Sequence, residues 1–99
     1  MRLRLSHRAD ADLDAIWTYI AKDNPKAADR VERDLHTTMQ MLSEHPGIGH
    51  IRPDVPRPGY RFWRIYSFLI VYRIEADDLI VVRVLHGSRD IRQHLRLGS

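Results

Sequence analysis

The sequence predicts an α+β fold: an N-terminal strand, a two-helix hairpin packed on a small twisted antiparallel sheet in the order β-α-α-β-β-β, and a short C-terminal helix. Three observations carry that prediction. Between Tyr60 and Leu85 lie three runs of β-branched and aromatic residues, Tyr60 to Ile65, Phe68 to Ile74 and Leu79 to Leu85, separated by Tyr66-Ser67 and by Glu75-Ala76-Asp77-Asp78, as an antiparallel meander requires. Ahead of them, two stretches repeat apolar residues at helical spacing. Residues 46–59 between these halves hold four of the five prolines and three of the five glycines, a composition that predicts a stiff connector without regular structure.

Taken in order, Arg2 to Leu5 alternates polar and apolar residues and predicts a short strand. Ser6 is placed to cap the helix that follows, its hydroxyl accepting a free N–H of the first turn. Ala9, Leu13, Ile16, Trp17 and Ile20 make the apolar stripe of that helix, and Asp10, Asp12 and Asp14 load its early part with negative charge, which the helix dipole favours. Alternate positions on a helix point in different directions, so these acids predict a solvated face and no metal cluster. Asn24-Pro25 ends the first helix and starts the second, whose stripe is Ala28, Val31, Leu35, Met39 and Leu42. A turn this short folds the pair into a hairpin of two helices about 20 residues long. Met39 and Met41 are gap-fillers of a core or groove.

The continuous apolar runs Phe68 to Val71 and Leu79 to Val82 predict strands covered over much of both faces. In Tyr60 to Ile65, by contrast, Arg61 and Arg64 interrupt Phe62, Trp63 and Ile65, the pattern of an edge or half-exposed strand. Gly87 breaks the last strand, Ser88 to Leu95 has room for two helical turns, and residues 96–99 read as a disordered tail.

A chain of 99 residues is one domain, 1–99, with a single core. The 43% apolar and 29% charged residues are ordinary for a folded protein. No apolar run approaches the roughly 20 residues of a membrane span, and Met1 to Ser6 lacks the apolar core of a signal peptide, so the expected location is cytoplasmic. Zero cysteines exclude disulfides, thiolate metal sites and thiol nucleophiles together. His7, His36, His45, His50, His86 and His94 show no paired metal-ligand spacing. No metal and no cofactor are expected. The net charge is +3, and most of the arginines follow residue 50, an asymmetry that points to an anionic partner for the C-terminal half.

The order of elements, together with Val82-Arg83-Val84-Leu85-His86-Gly87-Ser88-Arg89-Asp90-Ile91, Phe68-Leu69-Ile70-Val71-Tyr72-Arg73, and the connector residues Gly47 to Pro53 and Pro58-Gly59, resembles the ParE/RelE toxin superfamily. The decapeptide in particular is similar to the ending of ParE-like, plasmid-stabilisation toxins of type II toxin–antitoxin modules. The resemblance covers nearly the whole chain. It implies a toxin held inactive by a cognate ParD-like antitoxin in a hetero-oligomer, the antitoxin segment folding onto a groove or a sheet edge. DNA contact would belong to the antitoxin.

Two mechanisms occur in the superfamily. ParE-like members inhibit DNA gyrase by direct binding; RelE-like members are ribosome-dependent mRNA endoribonucleases. RelE carries an arginine in the central strand where this chain has Leu69, an arginine after the last strand that Arg89 matches, and a C-terminal tyrosine where this chain has Leu95. One of three groups is present, so the favoured reading is stoichiometric gyrase inhibition with no catalytic residue. RNA cleavage by a set built from His86 with Arg61, Arg64 and Arg83 is the alternative, and a relative that only binds its antitoxin is a third reading.

Arg61, Arg64, Arg83, His86 and Arg89 are therefore the candidate target-binding residues. Arg83 equally suits an ion pair with Glu75, Asp77 or Asp90, and His86 a hydrogen bond to its own turn and the following Asp90. Trp17, Ile20 and Trp63 are the candidate antitoxin contacts, the tryptophans also suiting the core.

Overall fold

The computed structural model describes residues 1–54 and 58–86. The elements are β1 (Arg2–Leu5), α1 (His7–Ala21), α2 (Pro25–Glu44), a single 3-10 turn (Pro46–Ile48), β2 (His50–Ile51), β3 (Arg61–Ile65), β4 (Phe68–Glu75) and β5 (Asp78–His86). The predicted terminal helix Ser88 to Leu95, the tail 96–99 and the candidate Arg89 lie outside the described residues.

The helices start where the sequence supplies caps. Ser6 is extended (φ −69°, ψ 162°) and accepts the Ala9 N–H at 3.0 Å, while Asn24 does the same for Ala27 at 3.1 Å with Pro25 in the first turn. At 15 residues α1 is shorter than α2, at 20. Trp17 on α1 donates its indole N–H to Asp29 on α2 at 2.9 Å, tying the hairpin together.

The sheet has five strands in the order β1-β5-β4-β3-β2. The meander β3-β4-β5 is antiparallel as predicted, but β1 joins β5 in parallel. The sheet is therefore mixed, which the long connection from β1 through both helices permits. The connector also departs from expectation, contributing a 3-10 turn and the two-residue strand β2, paired with Arg61 and Phe62 of β3.

One face of the sheet carries Ile70, Tyr72, Leu79, Val81 and Val84, packed with Ala9, Leu13, Leu35, Met39 and Leu42 of the helices. A second cluster, Phe62, Leu69, Val71 and Leu85, is buried on the other face, in keeping with the continuous apolar runs. The shift from Val81 to Val84 on one face is produced by a bulge: Val71 pairs with Arg83 and Tyr72 with Val81, so one residue of β5 is left over.

Beyond Val81, β5 has outlived its pairing with β1, leaving backbone groups that need other partners. The start of α1 supplies them. Ser6 donates its N–H to the Val81 carbonyl (2.9 Å) and its hydroxyl to the Val82 carbonyl (2.8 Å), and the Asp12 carboxylate accepts the Val84 N–H at 2.9 Å. Asp12 is thus no part of a solvated acidic face. Arg2 and Arg4 of β1 both reach Asp78 at the start of β5, at 3.0 and 3.1 Å. The hydrogen bond from Arg2, then that from Arg4, hold the Asp78 carboxyl below the usual carboxylate range.

The connector is anchored by Tyr72. Its hydroxyl, under the helix layer, donates to the Pro46 carbonyl (2.7 Å) and accepts the Gly49 N–H (3.0 Å). A Cβ at residue 49 would land on that hydroxyl and come within 2.8 Å of the ring carbons, so glycine is what lets the chain pass.

Candidate functional site

The sheet arginines are mostly engaged within the chain. Arg83 forks onto Asp12 with contacts of 2.8 and 3.0 Å, both side chains largely buried (14% and 16% exposed). The hydrogen bond to Asp12 raises the guanidinium above its ordinary value, against the pull of burial. Its partner is this carboxylate from α1 in place of the expected Glu75 or Asp77; the third expected partner, Asp90, lies outside the described residues. Arg61 donates to the Gly47 and Gly49 carbonyls at 3.3 and 3.0 Å, clasping the connector. Arg73 pairs with Glu75 at 2.5 Å, and Arg52 pairs with Asp54 while lying over the Phe62 ring at 5.8 Å. Arg64 differs. It is exposed on β3, and no partner of its guanidinium occurs among the described residues.

Alternation along the strands separates these cations from His86. Trp63, Ile65, Phe68 and Val84 pack toward the helices, and His86, paired with Phe68 across β4 and β5, shares their face. Arg64 belongs to the opposite face with Phe62. Arg61 faces the helices but lies four residues along β3 from the row Ile65-Phe68-His86, about 13 Å at the usual strand rise. His86 is exposed; its Nε2 lies 3.2 Å from the Ser67 hydroxyl and its ring tilts against Phe68 at 5.6 Å. Its described contact is thus to the β3–β4 turn, while the expected contact with its own turn and Asp90 lies outside the described residues.

On the helix side of this corner lies an open groove of about 610 Å³. Ala15, Ile16, Tyr19 and Ile20 of α1 form one wall and Val31 of α2 adds to it; Tyr66, Ser67, Phe68 and His86 form the other. The lining is mainly apolar, and at its rim Tyr19 is 76% and Tyr66 56% exposed. A concave, mainly apolar groove of this kind is the candidate partner site of the described residues.

Of the three candidate antitoxin contacts, Ile20 lines the groove. Trp17 is half-buried and committed to Asp29. Trp63, also half-buried, packs on the core and stacks on His50 with centroids 6.0 Å apart and rings within 9° of parallel. Sequence reasoning missed Tyr19, Tyr66 and Phe68. The first falls off the apolar stripe of α1, and Tyr66-Ser67 reads only as a polar break, although exposed tyrosines beside apolar runs were the available signal.

Among the described residues no group of three or more metal-ligating side chains is gathered, and no helix is long and apolar enough to cross a membrane.

Comparison with known proteins gives the same architecture a family. A family model described as the ParE toxin of the type II toxin–antitoxin system parDE matches residues 3–91. Toxin ParE1 of Caulobacter vibrioides is 44% identical over 95 residues, covering 93% of this chain and 95% of the relative. Toxin ParE1 of Mycobacterium tuberculosis is 34% identical, covering 95% and 97%; Toxin RelE2 of C. vibrioides is 35% identical, covering 83% and 90%. Among solved structures, a chain of the chromosomal ParDE TA system from P. aeruginosa superposes with a TM-score of 0.72 at 26% identity, covering 87% of this chain and 95% of that one. With its helical hairpin, mixed five-stranded sheet and matched ending, the chain belongs to the ParE family of type II toxin–antitoxin toxins.

Proposed function

We propose that this toxin acts by binding DNA gyrase and blocking it stoichiometrically, and that a ParD-like antitoxin neutralises it by seating an apolar segment in the groove between α1 and the β3–β4 turn. The observation that supports the first part is the separation, among the described residues, of the groups from which an RNA-cleaving set would be built. Cleavage through a 2′-hydroxyl needs an acid or base and phosphate-binding cations around one reacting centre. Here Arg83 is bound to Asp12, Arg61 to the connector, and Arg64 stands on the sheet face opposite His86. The position where RelE has an arginine is Leu69, 5% exposed in the far-face cluster. A buried leucine stabilises no phosphate charge. Such a protein inhibits by fitting against its target, and Arg64 is its contact among the described candidates, being exposed and charged with no internal partner.

The second part rests on the groove and on the ParDE assembly named for the structural relative. Because Arg61, Arg73 and Arg83 already have acceptors inside the chain, masking relies more on burying apolar surface than on neutralising these charges. An amphipathic helix offers the matching stripe.

The test is a supercoiling assay with purified gyrase beside a ribosome-dependent mRNA cleavage assay. Loss of supercoiling with intact transcript, relieved by the cognate antitoxin, is the expected result. Codon-dependent cleavage on the ribosome with gyrase unaffected would overturn it.

A further inference from the structure

Tyr66 is the first residue of the two-residue turn between β3 and β4, where such a hairpin calls for the positive φ it has (54°), as at Ala76 (53°) between β4 and β5; its ring is more than half exposed. Its hydroxyl crosses to α2 and donates to the Asp34 carboxylate, Asp34 lying one turn beyond the groove residue Val31. That hydrogen bond, then partial desolvation and the carboxylate charge, push the phenol up, with Arg30 opposing. Asp34 is half-buried, and among the described residues the neutral Tyr66 hydroxyl is its sole partner. A carboxylate accepts about four hydrogen bonds, and Arg30, one turn earlier on the same helix, forms no ion pair with it. The mainly apolar groove therefore adjoins, through Tyr66, a carboxylate whose one hydrogen-bond donor among the described residues is a neutral phenol.

We propose that Tyr66 and Asp34 form a polar gate to the groove and set its specificity: in the free toxin the phenol occupies the carboxylate, and when the antitoxin segment seats, a basic side chain on that segment takes the carboxylate over. This rests on the groove being the antitoxin's site. It commits the occupant to an amphipathic segment with an apolar stripe for Ile16 and Ile20 and one arginine or lysine beside it. Charge complementarity selects the cation, because a carboxylate with a single neutral donor gains most from a charged one. Tyr66 lines the groove, so a helix entering there displaces its ring.

The experiment is calorimetric titration of the intact toxin with its cognate ParD-like antitoxin, each variant first matched to the parent by circular dichroism and thermal melting. Tyr19→Glu, at the exposed rim, and Ile20→Glu test the groove itself and are expected to abolish binding. Asp34→Asn is expected to weaken binding about tenfold, the scale of one charge-assisted hydrogen bond, and to flatten its salt dependence. Tyr66→Phe, which removes only the competing donor, is expected to tighten binding severalfold. If both groove variants abolish binding while Asp34→Asn leaves it unchanged, or Tyr66→Phe weakens it as Asp34→Asn does, the gate is wrong and the groove stands. If neither groove variant affects binding, the groove reading falls and the gate with it.

Discussion

Removing Asp12 is expected to damage this protein more than removing the arginine it holds. Asp12 receives three hydrogen bonds, two from Arg83 at 2.8 and 3.0 Å and one from the Val84 N–H at 2.9 Å, at a site where the paired side chains are 14% and 16% exposed. Asp12→Ala strands a largely buried guanidinium and an edge N–H together. Breaking a buried pair from one side costs about 3–5 kcal/mol; the remaining exposure places this one near the lower end, about 3 kcal/mol. Arg83→Ala leaves the carboxylate with the Val84 N–H and a route to water, so about 2 kcal/mol is expected. The double variant is expected to cost little more than Asp12→Ala, giving a coupling of about 1–2 kcal/mol. Urea unfolding at constant m-value reads all three. For a domain of this size 3 kcal/mol corresponds to a melting temperature lower by roughly 12–20 °C. Strictly additive effects, or an Asp12→Ala cost below about 1 kcal/mol, would refute the reasoning. Growth arrest by Arg83→Ala should fall only as far as its folded fraction does; full loss of toxicity in a stable Arg83→Ala protein would return that residue to the target surface.

Arg64→Ala is expected to change stability by less than about 0.5 kcal/mol, as befits an exposed side chain without a partner, yet to reduce gyrase inhibition at equal protein concentration; unchanged inhibition counts against it as a contact. Gly49→Ala forces a methyl group onto the Tyr72 hydroxyl and is expected to cost about 1–3 kcal/mol from overpacking, with Tyr72→Phe relieving part of it in the double variant. A Gly49→Ala protein as stable as the parent would show that the connector does not need this close approach. Burial raises the Tyr72 phenol above its ordinary value, so it favours the neutral form in the folded state. Its contribution is complete below the unfolded tyrosine value of about 10 and is lost as pH rises through the higher folded value. Denaturation midpoints measured between pH 8 and 11.5 should therefore fall at the alkaline end, and more shallowly in Tyr72→Phe; equal slopes would remove Tyr72 as the cause.

The stretches legible in the sequence were those governed by local periodicity. The strands β3, β4 and β5, the stripes of both helices and the caps Ser6 and Asn24 follow from the spacing of residues a few positions apart, where geometry is set by the backbone itself. Strand β2 was not legible, since two residues are too few to show a period. The parallel placement of β1 was equally hidden, because nothing in Arg2 to Leu5 encodes which strand it will meet.

Side-chain partnership was the least legible property of all. Asp12 read as a solvated acid, and Arg83 as a target contact or the partner of Glu75, Asp77 or Asp90, because Asp12 and Arg83 stand 71 residues apart; only folding brings α1 to the exposed edge of β5. The groove has the same origin, drawing on α1, α2, the β3–β4 turn and the end of β5. By itself the sequence determined β1, the two helices and the three meander strands, the family they resemble and the absence of thiol chemistry. Tertiary structure decided which arginines are already engaged, where apolar surface is left open, and that His86 and Arg64 face opposite sides of the sheet. The physical reason is range: periodicity reports a residue's orientation on its own element, whereas charge pairing and surface exposure depend on what another element brings against it.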